Sequence, residues 1–237
     1  MLPDRLEHVQ ARIRQACLRS RRDPASVRLI AATKGIAADI IRQAVELGIT
    51  DLGENRVQEA LAKQAAVGRR PKAEGRVVRW HLIGHLQSNK VKLAVQLFDV
   101  IHSVDSLPLV AALERAMGER PQAQPALDVL IQVNTSGEPT KSGYRPDQAI
   151  ELVDAVRHAT HLRLAGLMTM APLASDAEAT RPCFRQLREL RDAVTLAFGL
   201  QPSALGLSMG MSQDFEVAIE EGADVLRIGT AIFGQRT

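Results

Sequence analysis

The sequence predicts a (β/α)8 TIM-type barrel with one extra helix at its front, and three observations carry that reading. Short β-branched runs alternate with longer amphipathic runs along the whole chain, the rhythm of repeated βα units. The β-like runs number about eight, which is what a closed parallel barrel needs. The first βα turn also lacks the GxGxxG that opens a doubly wound dinucleotide-binding sheet. With 237 residues, 46% of them hydrophobic and 24% charged, and no linker rich in Pro, Gly or Ser, the chain reads as a single domain over 1–237.

The opening stretch "MLPDRLEHVQARIRQACLRSRRDP" places Leu6, Val9, Ile13, Ala16 and Cys17 at helical spacing, so residues 1–25 are expected to hold an amphipathic helix packed on the barrel. The stretch has no apolar h-region and mixes acids with bases, unlike a secretory signal or a transit peptide. No apolar run approaches the roughly 20 residues that span a bilayer. A cytoplasmic protein with no membrane partner is expected. Cys17 and Cys183 lie far apart without a CxxC, the pattern of packed or partly exposed thiols.

The strand candidates follow in order: "VRLIAAT" from Val27, "ITDLGE" from Ile49, "VVRWHLIG" from Val77, "DVIHSVD" from Asp99, "ALDVLIQVN" from Ala126, "LRLAGLMTM" from Leu162, "ALGLSMG" from Ala204 and "ADVLRIG" from Ala223. Amphipathic stretches such as "AADIIRQAVELG" and "RVQEALAKQAAVG" separate them, several ending in the glycine expected just past a helix. The formal net charge is only +3, and the basic clusters "RSRR" and "GRRPK" have no aromatic neighbours on which bases could stack. They read as solvated loops and helix ends, with no nucleic-acid partner. "GRRPKAEGR", 68–76, is expected to be a mobile loop.

In such a barrel the active face is the carboxyl end of the strands. The polar residues there are Lys34, Glu54 and Asn55, His81 and Gly84, His102, Ser103 and Asp105, Asn134 and Ser136, Thr169, Ser208, and finally Arg227, Gly229 and Thr230. The segments "LSMGMS" and "LRIGTAIFG" occupy the loops after strands seven and eight, where barrels most often hold phosphate. Glycines there admit backbone N–H groups, Ser208 and Thr230 add hydroxyls, and a helix expected to begin near Ser212 directs its positive end to the same place.

Lys34 poses a sharper question, because an apolar strand delivers a lysine to its end. One reading has it snorkel to the rim or pair with Glu54 or Asp105. The other has a low-dielectric barrel mouth free its amine for imine formation with an aldehyde. An imine-forming lysine facing a phosphate site describes a cradle for pyridoxal 5′-phosphate (PLP).

The stretches "AATKG", "LGENRVQEA", "WHLIGHLQSNK", "IHSVDS", "LIQVNTSGEPTKSG", "GLMTMAP" and "LSMGMSQDFEVAIEEGADVLRIGTAIFG" closely resemble the pyridoxal-phosphate homeostasis protein family, whose barrel is similar to the amino-terminal domain of alanine racemase. The resemblance runs from about residue 27 to 234. It implies that Lys34 forms a Schiff base with PLP, that Ser208, Gly229 and Thr230 hold the phosphate, and that Met209 offers its backbone N–H there. It further implies that Arg227 faces the pyridine nitrogen and that Asn55 lies beside the ring.

A guanidinium does not readily give up its proton, so it disfavours a second positive charge on the ring, and an unprotonated ring is a poor electron sink. The expectation is a protein that carries or buffers PLP in vitamin B6 homeostasis without turning over a substrate, a monomer with PLP-dependent apo-enzymes as recipients. The alternative is an amino-acid racemase of low activity, for which no second base is visible in the sequence, and a class I aldolase using Lys34 stands further back. "HLIGH" reads as strand and turn, so His81 and His85 are not expected to share a metal. His158 and His161 read as exposed. Lys141, in "NTSGEPTKSGY", is the rival amine on a strand-end loop, beside Tyr144.

Overall fold

The computed structural model describes residues 1–68, 72–73, 75–120, 125–138, 142–172 and 174–235. Helix α1 (Leu2–Arg19) buries Leu6, Val9, Ile13, Ala16 and Cys17, the stripe expected from spacing. The barrel strands are β1 (Arg28–Ala32), β2 (Asp51–Glu54), β5 (Arg79–Leu82), β6 (Val100–Val104), β7 (Leu127–Gln132), β8 (Leu162–Met168), β9 (Gly206–Ser208) and β10 (Val225–Ile228). They close in the order β1-β10-β9-β8-β7-β6-β5-β2, and the pairs are parallel. Each falls within a run anticipated as strand. Helices α2 (Ala38–Glu46), α3 (Val57–Val67), α4 (Val91–Leu97), α5 (Leu107–Gly118), α6 (Ala149–Arg157), α7 (Arg181–Ala197) and α8 (Phe215–Glu220) form the outer ring.

Three features differ from expectation. Within 68–76 the described residues form an antiparallel pair, β3 (Lys72–Ala73) with β4 (Arg76–Val77); residues 69–71 and 74 lie outside the described residues. A turn-rich composition hid this pairing, because two-residue strands carry no periodicity. A short helix, α9 (Thr230–Phe233), follows β10. The helix expected near Ser212 begins at Phe215, and Ser212–Asp214 form a turn before it.

Strand alternation divides the barrel into two environments. The outward face meets the helices in one continuous apolar shell that includes Leu52, Trp80, Ile101, Ile131, Leu167, Phe184 and Phe215, all fully buried. Each side chain of this size contributes about 1.5–3 kcal/mol by leaving water. The lumen holds a separate small apolar cluster, Val100, Leu130 and Met168. Its remaining buried positions include Asp51, His81, His102, Ser208 and Arg227. Helix α1 packs against α8 and α9, held by the Arg12 guanidinium, which donates to both oxygens of Glu216 at 3.1 and 2.7 Å. Among the described residues neither Cys17 nor Cys183 forms a disulfide. Among the described residues no helix is long and apolar enough to cross a membrane.

Candidate functional site

A cavity of about 320 Å³ opens at the carboxyl ends of β1 and β10, with Ala32, Pro172, Ser212, Gln213, Asp214, Arg227, Gly229 and Thr230 among its walls. Arg227 is buried at its floor. Its Nη1 donates to Ser208 Oγ at 2.7 Å and its Nη2 to the Thr169 carbonyl at 2.7 Å. Burial pushes the guanidinium down to about 10, against the pull of Asp214, so it keeps its charge at neutral pH.

Behind Arg227 a hydrogen-bonded chain runs through the lumen. Ser208 Oγ lies 3.0 Å from His102 Nδ1, His102 Nε2 lies 3.0 Å from His81 Nδ1, and His81 Nε2 lies 2.8 Å from Asp51 Oδ1. An ionised carboxylate only accepts and each neutral imidazole carries one N–H, so the direction of every bond follows from Asp51. Ser208 donates to His102 Nδ1, His102 Nε2–H to His81, and His81 Nε2–H to Asp51. Burial opposes charge on Asp51, but the His81 bond and the Arg79 guanidinium, 2.9 Å away, outweigh it and hold the carboxyl well below its usual range. Burial lowers both imidazoles, so they are neutral.

Two of the donors expected for a phosphate already carry bonds within the protein. The Ser208 hydroxyl is fully buried and engaged by Arg227 and His102. The Met209 N–H donates to the Val225 carbonyl at 3.1 Å, and its side chain lies in the outer shell. The alternation that turns Ser208 into the lumen turns Met209 outward, and strand pairing claims its N–H. Among the described residues the backbone N–H groups of Ser212, Gln213, Gly229 and Thr230 form no hydrogen bond, and all four residues line the cavity. Gly210 makes the turn possible: its φ is +93°, and a Cβ there would lie 2.6 Å from that of Ala218. Residue spacing missed Ser212 and Gln213 as donors, although "GMSQD" does follow the expected glycine.

Lys34 follows β1 in a half-buried turn, two residues beyond Ala32, which lines the cavity. Its Nζ has no hydrogen bond or ion pair among the described residues. Both partners considered for it are taken: Lys63 Nζ lies 2.6 Å from Glu54 Oε1, and His85 Nδ1 lies 3.3 Å from Asp105. Asn55 is half-buried at the end of β2, where a Cβ on Gly84 would come within 2.4 Å of its carbonyl. Neither Lys34 nor Asn55 is part of the wall of the 320 Å³ cavity, which gathers Arg227, Gly229 and Thr230.

The remaining candidates separate. His81 lies in the lumen while His85 is exposed, and among the described residues no cluster of three His, Cys, Asp or Glu side chains could hold a metal. His158 and His161 contact Asp154 and Glu114 on the outer surface. The Tyr144 hydroxyl donates to Glu151 at 3.2 Å. Lys141 lies outside the described residues.

The family model described as alanine racemase, N-terminal domain, matches residues 5–237. A pyridoxal phosphate homeostasis protein of Pseudomonas aeruginosa is 42% identical over 235 residues, 99% of this chain and 96% of that protein. One from Aquifex aeolicus is 40% identical over 233 residues, 98% of this chain and 97% of that protein. The structure of PipY of Synechococcus elongatus with PLP bound superposes with a TM-score of 0.81 at 37% identity, covering 99% of this chain and 100% of that one. Full-length similarity at this level, together with the closed barrel, shows that the chain belongs to the pyridoxal phosphate homeostasis protein family.

Proposed function

We propose that the chain binds PLP through Lys34 and carries or buffers it in vitamin B6 homeostasis. The observation that carries this reading is the contrast between an unpartnered lysine at the mouth of the barrel and the arginine and free backbone donors of the adjoining cavity. The family name of its relatives and the PLP-bound PipY support it.

The donor set fits the group. The N–H groups of Ser212, Gln213, Gly229 and Thr230 suit a dianionic phosphate, since small loops that present several backbone donors are anion sites. The resemblance adds Ser208 and the Met209 N–H to the phosphate site and places Asn55 beside the ring, and each also has a role within the protein. Ser208 orients Arg227, Met209 secures the β9 end in the outer shell, and Asn55 borders the mouth. When bound, PLP supplies an aldehyde that condenses reversibly with a primary amine with loss of one water. Lys34 is the amine proposed for that role, its Nζ having no competing partner among the described residues. Arg227 holds a positive charge on the cavity floor, and its two bonds to Ser208 and Thr169 keep its fork in place.

A fixed cation at that position opposes protonation of an adjacent ring nitrogen, which disfavours carbanion chemistry and favours storage of the aldehyde over turnover. Recipient apo-enzymes, a monomeric state and a cytoplasmic location belong to the same proposal. The test is an absorbance spectrum with PLP, followed by borohydride reduction and peptide mapping. A band near about 420 nm and a reduced adduct on Lys34, both absent in Lys34→Ala, are expected; an adduct at another lysine would overturn the assignment. Solvent deuterium appearing at the α-carbon of alanine or serine would replace the carrier with a racemase.

A further inference from the structure

The residues on either side of Lys34 are tied to one buried cluster on the outer side of the barrel, and Lys63 is its centre. Lys63 lies in the second turn of α3, four residues after Glu59, so both project from one helix face. Its Nζ donates to Glu54 Oε1 at 2.6 Å, to Glu59 Oε1 at 2.7 Å and to the Thr33 carbonyl at 2.5 Å. The Thr33 hydroxyl donates to the same oxygen of Glu54, and the Gly35 N–H donates to the same oxygen of Glu59 at 2.5 Å. The peptide units before and after Lys34 are therefore anchored, while the Lys34 side chain carries no anchor of its own. Glu54 is completely buried and the Lys63 side chain is only 9% exposed. All three donors of the Lys63 amine find oxygen acceptors, which offsets the cost of burying it.

We propose that Lys63 is a positioning residue for Lys34. Through Glu54, Glu59 and the Thr33 carbonyl it fixes the 33–35 turn so that the neighbouring amine is presented to the aldehyde. The proposal rests on the reading that Lys34 takes PLP. It adds that the presentation depends on a second lysine that never touches the cofactor. A displacement of about 1 Å at a reacting group lowers a rate by roughly 100-fold, so loosening this turn is expected to slow attachment more than it weakens binding.

The experiment compares two probes on the full chain: PLP, followed by the rate at which its absorbance changes on attachment, and pyridoxine 5′-phosphate, which keeps ring and phosphate but has an alcohol in place of the aldehyde. Lys63→Met is expected to lower the attachment rate constant about tenfold or more while leaving the alcohol's dissociation constant within about twofold. Glu59→Ala removes the Gly35 tether and one of the three Lys63 acceptors, leaving Glu54 and the Thr33 carbonyl in place, and is expected to lower the rate about threefold; if Lys63→Met does not fold, this variant decides alone. An attachment rate unchanged in the folded variants, or a rate and an alcohol affinity that fall together, overturns the proposal. Failure of the unsubstituted protein to attach PLP overturns the underlying reading instead.

Discussion

Lys34 and Lys63 border the same turn and have opposite surroundings. Lys63 is buried, with Glu54, Glu59 and a carbonyl around its ammonium; Lys34 is half-buried with no partner among the described residues. Burial alone therefore does not mark a reactive lysine. The Lys63 amine is occupied by carboxylate and carbonyl acceptors, whereas Lys34, the proposed nucleophile, has no such partner among the described residues. Glu54, one partner considered for Lys34, is paired with Lys63 through Oε1.

The strongest way to break this comparison is to exchange the consequences of losing each lysine. Lys63→Met leaves the Glu54 carboxylate buried without its cation and is expected to destabilise the fold by about 3–5 kcal/mol. Adding Glu54→Gln should recover part of that loss, because the uncompensated charge is removed. Lys34→Ala is expected to change stability by no more than about 0.5 kcal/mol while abolishing attachment. Urea denaturation of the three variants checks this, and a Lys34→Ala protein as unstable as Lys63→Met would show that both lysines are structural.

Gly210→Ala sharpens the other half of the site. The new Cβ would require a left-handed φ of +93° and would sit 2.6 Å from that of Ala218. A loss of about 1–3 kcal/mol is expected, with weaker binding of pyridoxine 5′-phosphate because the turn that presents Ser212 and Gln213 moves. Unchanged affinity for that phosphate would remove those two N–H groups from the proposed cradle.

How legible the site was in the sequence follows from the same residues. The eight strands were legible because β-branched runs bounded by helical periodicity leave little choice, and Leu6, Val9 and Ile13 marked the face of α1 unaided. Lys34 stood out as a candidate because an apolar strand ending in lysine is itself an anomaly. The protein bonds of Ser208 and Met209 were not legible for a local reason: which of two adjacent residues turns inward depends on the register of β9 against β10. Lys63 was invisible. Within "EALAKQAAV" it looks like an ordinary exposed helix lysine, and only the closure of β1 against β2 brings Thr33 and Glu54 beneath it. The polar lumen was equally hidden, since His81, His102 and Asp51 meet only across strands.

The lumen supplies the smallest expected effect, and its sign can be fixed. His81 and His102 have pKa values lowered by burial, whereas in the unfolded chain both titrate near about 6.5. Between those limits the unfolded state binds protons that the folded state refuses. The stability contributed by the neutral imidazoles is therefore fully present above about pH 6.5 and declines as pH falls below it, by up to roughly 1.4 kcal/mol per pH unit for each histidine. Glu54 and Asp214 act in the opposite sense, because burial raises their carboxyl pKa values and the folded state takes up those protons first. The absolute slope thus mixes both, and the informative quantity is a difference between variants. His102→Gln removes one imidazole and leaves both carboxyls, so its stability should fall less steeply than that of the parent between pH 7 and 5 in urea titrations. The Lys34–Lys63 pair has no corresponding imidazole, and Lys34→Ala should reproduce the parent slope. Equal slopes for the parent and His102→Gln would mean that the lumen chain takes up protons as it stands and that its bond directions are not those imposed by Asp51 and two neutral imidazoles.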